Sequence, residues 1–205
     1  MLHYETISTE ALELLINLQK IELFNNLRLV GGTSLALQLG HRKSIDLDLF
    51  GILDADEFDI LYAIQEIGDT KLLHKSKNII VYLINGIKTD FVRYSYQWLE
   101  ETCYVDGLKL ASKRDIAAMK LAAITGRGTK KDFIDIYFLL REFSLKEMID
   151  LYNNKYSDGS SFLVLKSLGY FADAENDPMP VMLKAVSWEL VKNEIKSTLA
   201  DYLSF

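Results

Sequence analysis

The run from Leu27 to Phe50, LRLVGGTSLALQLGHRKSIDLDLF, constrains the fold more than any other part of the chain, because its apolar period changes from two to helical and back again. Leu27 to Val30 alternates apolar and polar residues and stops at Gly31-Gly32, where residues without a Cβ let the backbone turn and approach a ligand closely. Thr33 to Leu39 then reads as a helix closed by Gly40. Ser44 to Phe50 returns to period two, which predicts a strand with Asp46 and Asp48 on one face and Ile45, Leu47 and Leu49 toward the core. A helix that opens on Gly-Gly-Thr-Ser directs N–H groups and the positive end of its dipole at whatever sits above the strand, which suits phosphate. Two carboxylates on one strand face repel unless a cation relieves them, and Mg²⁺ is commonly held by one or two carboxylates together with substrate phosphates. A bare Asp-x-Asp also describes a solvated strand face. The glycine turn upstream favours the ligand reading, because it sets an anion site beside a cation site.

The remaining sequence divides near residue 110 into a mixed α/β half, 1–110, and an all-helical half, 111–205. Ser8 to Asn25 has helical spacing, and Asp54-Ala-Asp-Glu57 reads as a capping box before a helix with Phe58, Leu61, Ile64 and Ile67 on one face and Gly68 as its stop. Strands are expected at 70–75 and 78–84, then a hairpin turn at Asn85-Gly86 and an outgoing strand, Ile87 to Tyr94, whose only acid is Asp90. Asp106-Gly107 marks a further turn before a short strand at 108–111. From Ser112 on only helical periodicity remains. The helix DIAAMKLAAITG is apolar nearly all round except for Lys120, whose ammonium needs a cleft, a carboxylate or a path to solvent. In the following stretch Asp132 and Asp135 lie at i and i+3 on one helical face. Thr129-x-x-Asp132 also reads as a capping box, and Asp135, beyond the cap, is placed to pair with Lys120 or Arg127. Caps at Ser144 and Ser160, a break at Asp177-Pro-Met-Pro180 and a last helix faced by Trp188, Val191, Ile195, Leu199 and Tyr202 complete the chain.

The ordered set of glycine turn, helix and Arg42-x-Ser44-x-Asp46-x-Asp48 resembles the first motif of the nucleotidyltransferase superfamily, in the form found in the AbiEii/AbiGii family of bacterial toxin-type nucleotidyltransferases. Arg127 followed by Lys131-Asp132-x-x-Asp135 resembles that family's last motif. The resemblance spans roughly residues 27–140 and implies an α+β fold: a small mixed sheet with flanking helices, then a helical domain, with an active cleft between them. It implies a metal-dependent enzyme that transfers a nucleotide from a nucleoside triphosphate to a hydroxyl. In that scheme Gly31, Gly32, Thr33 and Ser34, with Arg42 and Ser44, cradle the nucleotide. Asp46, Asp48 and Asp90 hold Mg²⁺ or Mn²⁺, and Asp90 also serves to activate the acceptor hydroxyl. Lys120 touches the phosphates, and Arg127, Lys131, Asp132 and Asp135 complete the nucleotide site. Family members in toxin–antitoxin and abortive-infection systems modify the 3′ end of transfer RNA, so a tRNA acceptor and a cognate antitoxin are the implied partners.

Composition narrows the alternatives. A net charge of −6 and a pI near 5.1 argue against a general nucleic-acid coat, although His41-Arg-Lys43, Lys71 to Lys77 and Lys113-Arg114 are local basic runs. A single cysteine, Cys103, excludes a disulfide framework and a cysteine zinc site. No basic-then-apolar leader and no apolar run of about 20 residues is present, so the expectation is a cytoplasmic protein without a membrane span. The three histidines lack metal-ligand spacing, and His41 neighbours Arg42 as a candidate lining of the nucleotide site. Two further functions share the fold: transfer of the γ-phosphate to a protein serine, and a non-catalytic subunit that binds a nucleotide or a partner protein.

Overall fold

In the computed structural model, which describes residues 1–204, the period-two segments become β1 (Leu27–Leu29), β2 (Leu47–Gly51), β3 (Thr70–Lys75), β4 (Ile79–Ile84), β5 (Ile87–Arg93), β6 (Cys103–Val105) and β7 (Leu108–Leu110). They form one seven-stranded mixed sheet in the order β3-β4-β5-β2-β1-β7-β6. The β2–β5 and β1–β7 pairs are parallel and the others antiparallel. Two of its hairpins, β4–β5 and β6–β7, close on an acid or amide followed by glycine in the left-handed region. Asn85 and Gly86 have φ of 49° and 79°, and Asp106 and Gly107 have 52° and 82°. The strand β6 is not anticipated by the sequence, because Cys103-Tyr-Val105 has no apolar–polar alternation.

The chain folds as two units. The first comprises residues 1–38, 43–95 and 101–111, and the second comprises 39–42, 96–100 and the chain from Ser112 on. In the first, α1 (Thr9–Lys20), α2 (Gly31–Leu39) and α3 (Glu57–Ile64) accompany the sheet. Leu14, Leu15, Leu18, Phe24, Leu27, Leu29, Leu47, Leu49, Ile60, Ile64 and Phe91 share one buried cluster. Three local expectations shift. The strand carrying the acidic pair begins at Leu47 rather than Ser44, which leaves Ile45 61% exposed instead of in the core. The helix α2 starts at Gly31, two residues early. The cap of α3 is Asp56, whose carboxylate accepts from the N–H groups of Phe58 and Asp59, so the helical frame moves. Ile60 and Ile64 are buried and Phe58 and Leu61 are exposed.

The second unit contains α4 (Lys113–Arg127), α5 (Lys130–Leu139), α6 (Leu145–Lys155), α7 (Ser161–Leu168) and α8 (Trp188–Leu203). The helix α4 packs on α5, α6 and α7, as its nearly all-round apolar surface requires. Serine side chains at positions 112, 144, 160 and 187 cap four of the five helices. The expected single boundary near residue 110 is crossed by two short excursions, each tied to the helical unit by buried charge. Asp115 accepts from the N–H groups of Leu99 and Glu100 and pairs with Lys155 at 2.7 Å, and Lys155 also donates to the carbonyl of Gln97. Residues 39–42 are held likewise, through His41 and Arg42. Among the described residues no helix is long and apolar enough to cross a membrane.

Candidate active site

The first unit assembles the acidic face from β1, α2, β2 and β5. Gly31 has φ +67°, and a Cβ built on it would lie 2.1 Å from Asp48 Oδ2. The glycine turn is therefore packed directly on a carboxylate, and only glycine provides both the conformation and the space. The N–H of Val30 donates to the carbonyl of Asp48 at 2.9 Å, fixing the height of β2 against the turn. On the other side of β2, Asp48 is the register partner of Asp90 on β5, so the two carboxylates sit on one face of neighbouring strands about 4.8 Å apart at the backbone. Asp46 lies just before β2, and its carbonyl accepts from Thr33 Oγ1 at 2.5 Å. Thr33 Oγ1 is also 2.9 Å from Ser44 Oγ, and the N–H of Ser44 donates to the carbonyl of Thr6. Thr33 and Ser34 are buried. The structure places Thr33 as the clamp that shapes the acidic loop, while the Ser34 hydroxyl accepts from Gln38, whose amide also donates to the carbonyl of Ala111.

We expect Gly31→Ala to lower turnover by about 100-fold, the usual consequence of misplacing a reacting group by roughly 1 Å. The melting temperature should fall by only a few degrees, since a left-handed alanine costs about 1–2 kcal/mol. Parallel rate and melting measurements on the purified variant check this.

The chemistry of the donors fits a hard divalent ion only in part. Among the described residues no three His, Cys, Asp or Glu side chains are grouped to hold a metal. Of the expected trio, Asp48 and Asp90 form a register pair on β2 and β5, and Asp46 lies just before β2. Asp90 Oδ1 already accepts a cationic nitrogen, Lys88 Nζ, at 2.5 Å. Such a set matches an ion whose remaining ligands come from substrate phosphates, and does not match an all-protein cage.

In the second unit the other motif residues form a buried ion-pair network. Asp135 is fully buried at the centre of it. Arg42 grips it with both prongs, Nε to Oδ1 at 2.7 Å and Nη2 to Oδ2 at 2.8 Å, and His41 Nε2 lies 2.8 Å from Oδ1. Lys120 Nζ bridges Asp135 Oδ2 at 2.6 Å and Asp132 Oδ1 at 2.8 Å. Asp132 additionally accepts from the N–H and hydroxyl of Thr129, the capping arrangement anticipated from its spacing. Two cations and two anions balance. Burial alone would raise the Asp135 carboxyl, but Lys120 and Arg42 outweigh it and hold the group well below the usual carboxylate range. Burial pushes the Lys120 ammonium down, and Asp135 and Asp132 more than reverse this. Burial dominates at His41 and lowers its pKa despite the Asp135 bond, while its Nδ1 is buried with no hydrogen-bond partner. Lys120 and Arg42 are therefore neutralised in the interior of this unit. The partners of Asp135 are Lys120 and Arg42, whereas Arg127 and Lys131 are exposed.

Sequence reasoning passed over Lys88 and the Asp115–Lys155 pair. The first was available as a Lys-x-Asp on one strand face. The second joins residues 40 apart and had no local signal.

The profile of the family described as "Nucleotidyl transferase AbiEii toxin, Type IV TA system" matches residues 13–72 and 82–204. An uncharacterized protein of Aquifex aeolicus (strain VF5) is 36% identical over 200 residues, covering 95% of each chain. Among solved structures, the nucleotidyltransferase toxin MenT4 of Mycobacterium tuberculosis H37Rv superposes with a TM-score of 0.58 at 17% identity, over 94% of this chain and 83% of that one. JHP933 of Helicobacter pylori gives 0.53 at 17% identity over 95% and 92%. ANT(2″)-Ia, solved in complex with adenylyl-2″-tobramycin, gives 0.54 at 13% identity over 71% and 95%. These structural likenesses establish the fold, and the profile match establishes the lineage. A glycine turn packed on Asp48, the Asp48–Asp90 register and the matched profile agree on one assignment: the chain belongs to the AbiEii family of nucleotidyltransferase toxins of type IV toxin–antitoxin systems.

Proposed function

We propose that this nucleotidyltransferase depends on a divalent cation and transfers a nucleotide from a nucleoside triphosphate to a hydroxyl at the 3′ end of a transfer RNA. The observation that carries the reading is the seating of the Asp48 carboxylate between the Gly31 turn and Asp90. Backbone at Gly31 and Gly32, at the start of α2, receives the triphosphate, helped by the positive end of the helix. Asp46 and Asp48, with Asp90 beside them, would hold Mg²⁺ or Mn²⁺ against the phosphates, and the ion would supply charge neutralisation at the reacting phosphorus. Thr33 keeps the Asp46 loop in place. Asp90 accepts the proton of the attacking hydroxyl, whose oxygen bonds to the α-phosphorus as pyrophosphate leaves. Arg127 and Lys131, both exposed, are the cations of the last motif free to meet phosphate from solvent, whereas Arg42, Lys120, Asp132 and Asp135 act by holding their unit together. Support for a polyanionic acceptor comes from the edge strand β3 and its turn, where Lys71, His74 and Lys77 are exposed beside Lys75, itself paired with Glu57.

Incubation with total RNA and triphosphate labelled at α in one reaction and at γ in another tests this. Label from the α position should appear in tRNA with the wild type and fall by about 100-fold or more with Asp46→Asn. Transfer of γ label to protein would replace the proposal with a phosphotransferase. No transfer of either label, with no binding of Mg²⁺-nucleotide, would leave a non-catalytic subunit.

A further inference from the structure

We propose that Lys88 is a resident counter-cation of the acidic face, a positioning residue that must leave Asp90 before a divalent ion is fully engaged and so sets the cation concentration at which the site loads. This rests on the metal-dependent reading above. Three observations carry it. Lys88 and Asp90 are two apart on β5, so strand geometry alone puts both on one face, and Nζ reaches Oδ1 at 2.5 Å. Asp90 stands in register with Asp48, and two neighbouring carboxylates on one face need a cation to relieve their repulsion. The Lys88 side chain is 43% exposed, so its head can return to water when another cation arrives. The contrast is Lys120, whose side chain is 9% exposed between two carboxylates. An exposed pair of the Lys88 kind contributes little to folding, so its consequence lies in the charge at Asp90.

The experiment is a Mn²⁺ titration of the full chain, by calorimetry and by the electron paramagnetic resonance of free Mn²⁺, with and without a non-hydrolysable nucleoside triphosphate. It compares the wild type with Lys88→Met, Lys88→Arg and Asp48→Asn. Lys88→Met should bind Mn²⁺ about five- to tenfold more tightly, and Lys88→Arg should stay within about twofold of wild type. Unchanged or weaker binding by Lys88→Met, while Asp48→Asn still loses the ion, overturns the role of Lys88 and leaves the metal-dependent reading standing. A drop in melting temperature for Lys88→Met without a gain in affinity assigns the lysine to the fold alone and equally overturns it. Absence of Mn²⁺ binding by the wild type, even with nucleotide, removes the metal-dependent reading and this inference with it.

Discussion

Replacing Asp135 with asparagine is expected to lower the melting temperature by roughly 6–20 °C. The carboxylate is the shared anion of Lys120 and Arg42 and the hydrogen-bond partner of His41, all three buried. Its removal takes one of two anions from Lys120 and the two-pronged partner from Arg42, and breaking a buried pair in this way costs about 3–5 kcal/mol. A chain of this length loses about 2–4 °C per kcal/mol. Calorimetric melts at neutral pH check the size, and a pH series checks the cause. Asp135 is held well below its ordinary value, so the stability it contributes is present above the unfolded pKa of about 3.9 and is lost as pH falls through the folded one. His41 is lowered by burial, so the unfolded chain takes up the proton first, and stability begins to decline as pH falls through about 6.5. The wild type should therefore weaken in two stages on acidification. In Asp135→Asn the lower stage should shrink, leaving the part contributed by Asp132, where burial raises the carboxyl and Lys120 outweighs it. A variant that melts within about 2 °C of wild type would show that the network is not the anchor it is argued to be.

Asp48→Asn should reduce transfer of the α-labelled nucleotide by at least about 10²–10³-fold, the scale associated with losing one preorganised electrostatic group in a reaction of this type. The change keeps the shape of a half-buried side chain that rests on Gly31, so the melting temperature should move by no more than about 2 °C. Measured transfer rates beside circular-dichroism melts separate chemistry from folding. A variant that retains more than about a tenth of wild-type activity would exclude Asp48 from the reacting centre.

Much of this organisation is present in short-range sequence terms. The turn at Asn85-Gly86 and the serine caps are each decided by residues within four positions of one another, and the structure contains them. The frame of α3 and the start of β2 differ from the sequence expectation for an equally local reason. Asp54 and Asp56 are both competent caps, and only Asp56 reaches the N–H groups of the helix that forms. The alternation through Ile45 continues in the sequence beyond the point where pairing with β5 begins at Leu47.

By itself the amino-acid order determined most of the helices and strands, the glycine bend and the lineage, because propensity, capping and motif spacing act along a few residues of chain. Only the tertiary structure decided that Asp90 stands level with Asp48, that Asp135 gathers His41, Arg42 and Lys120, and that Lys88 rests on Asp90. Those outcomes depend on strand register and on which charge finds a partner when water is excluded. Both are settled between segments far apart in sequence, where no local pattern carries the information.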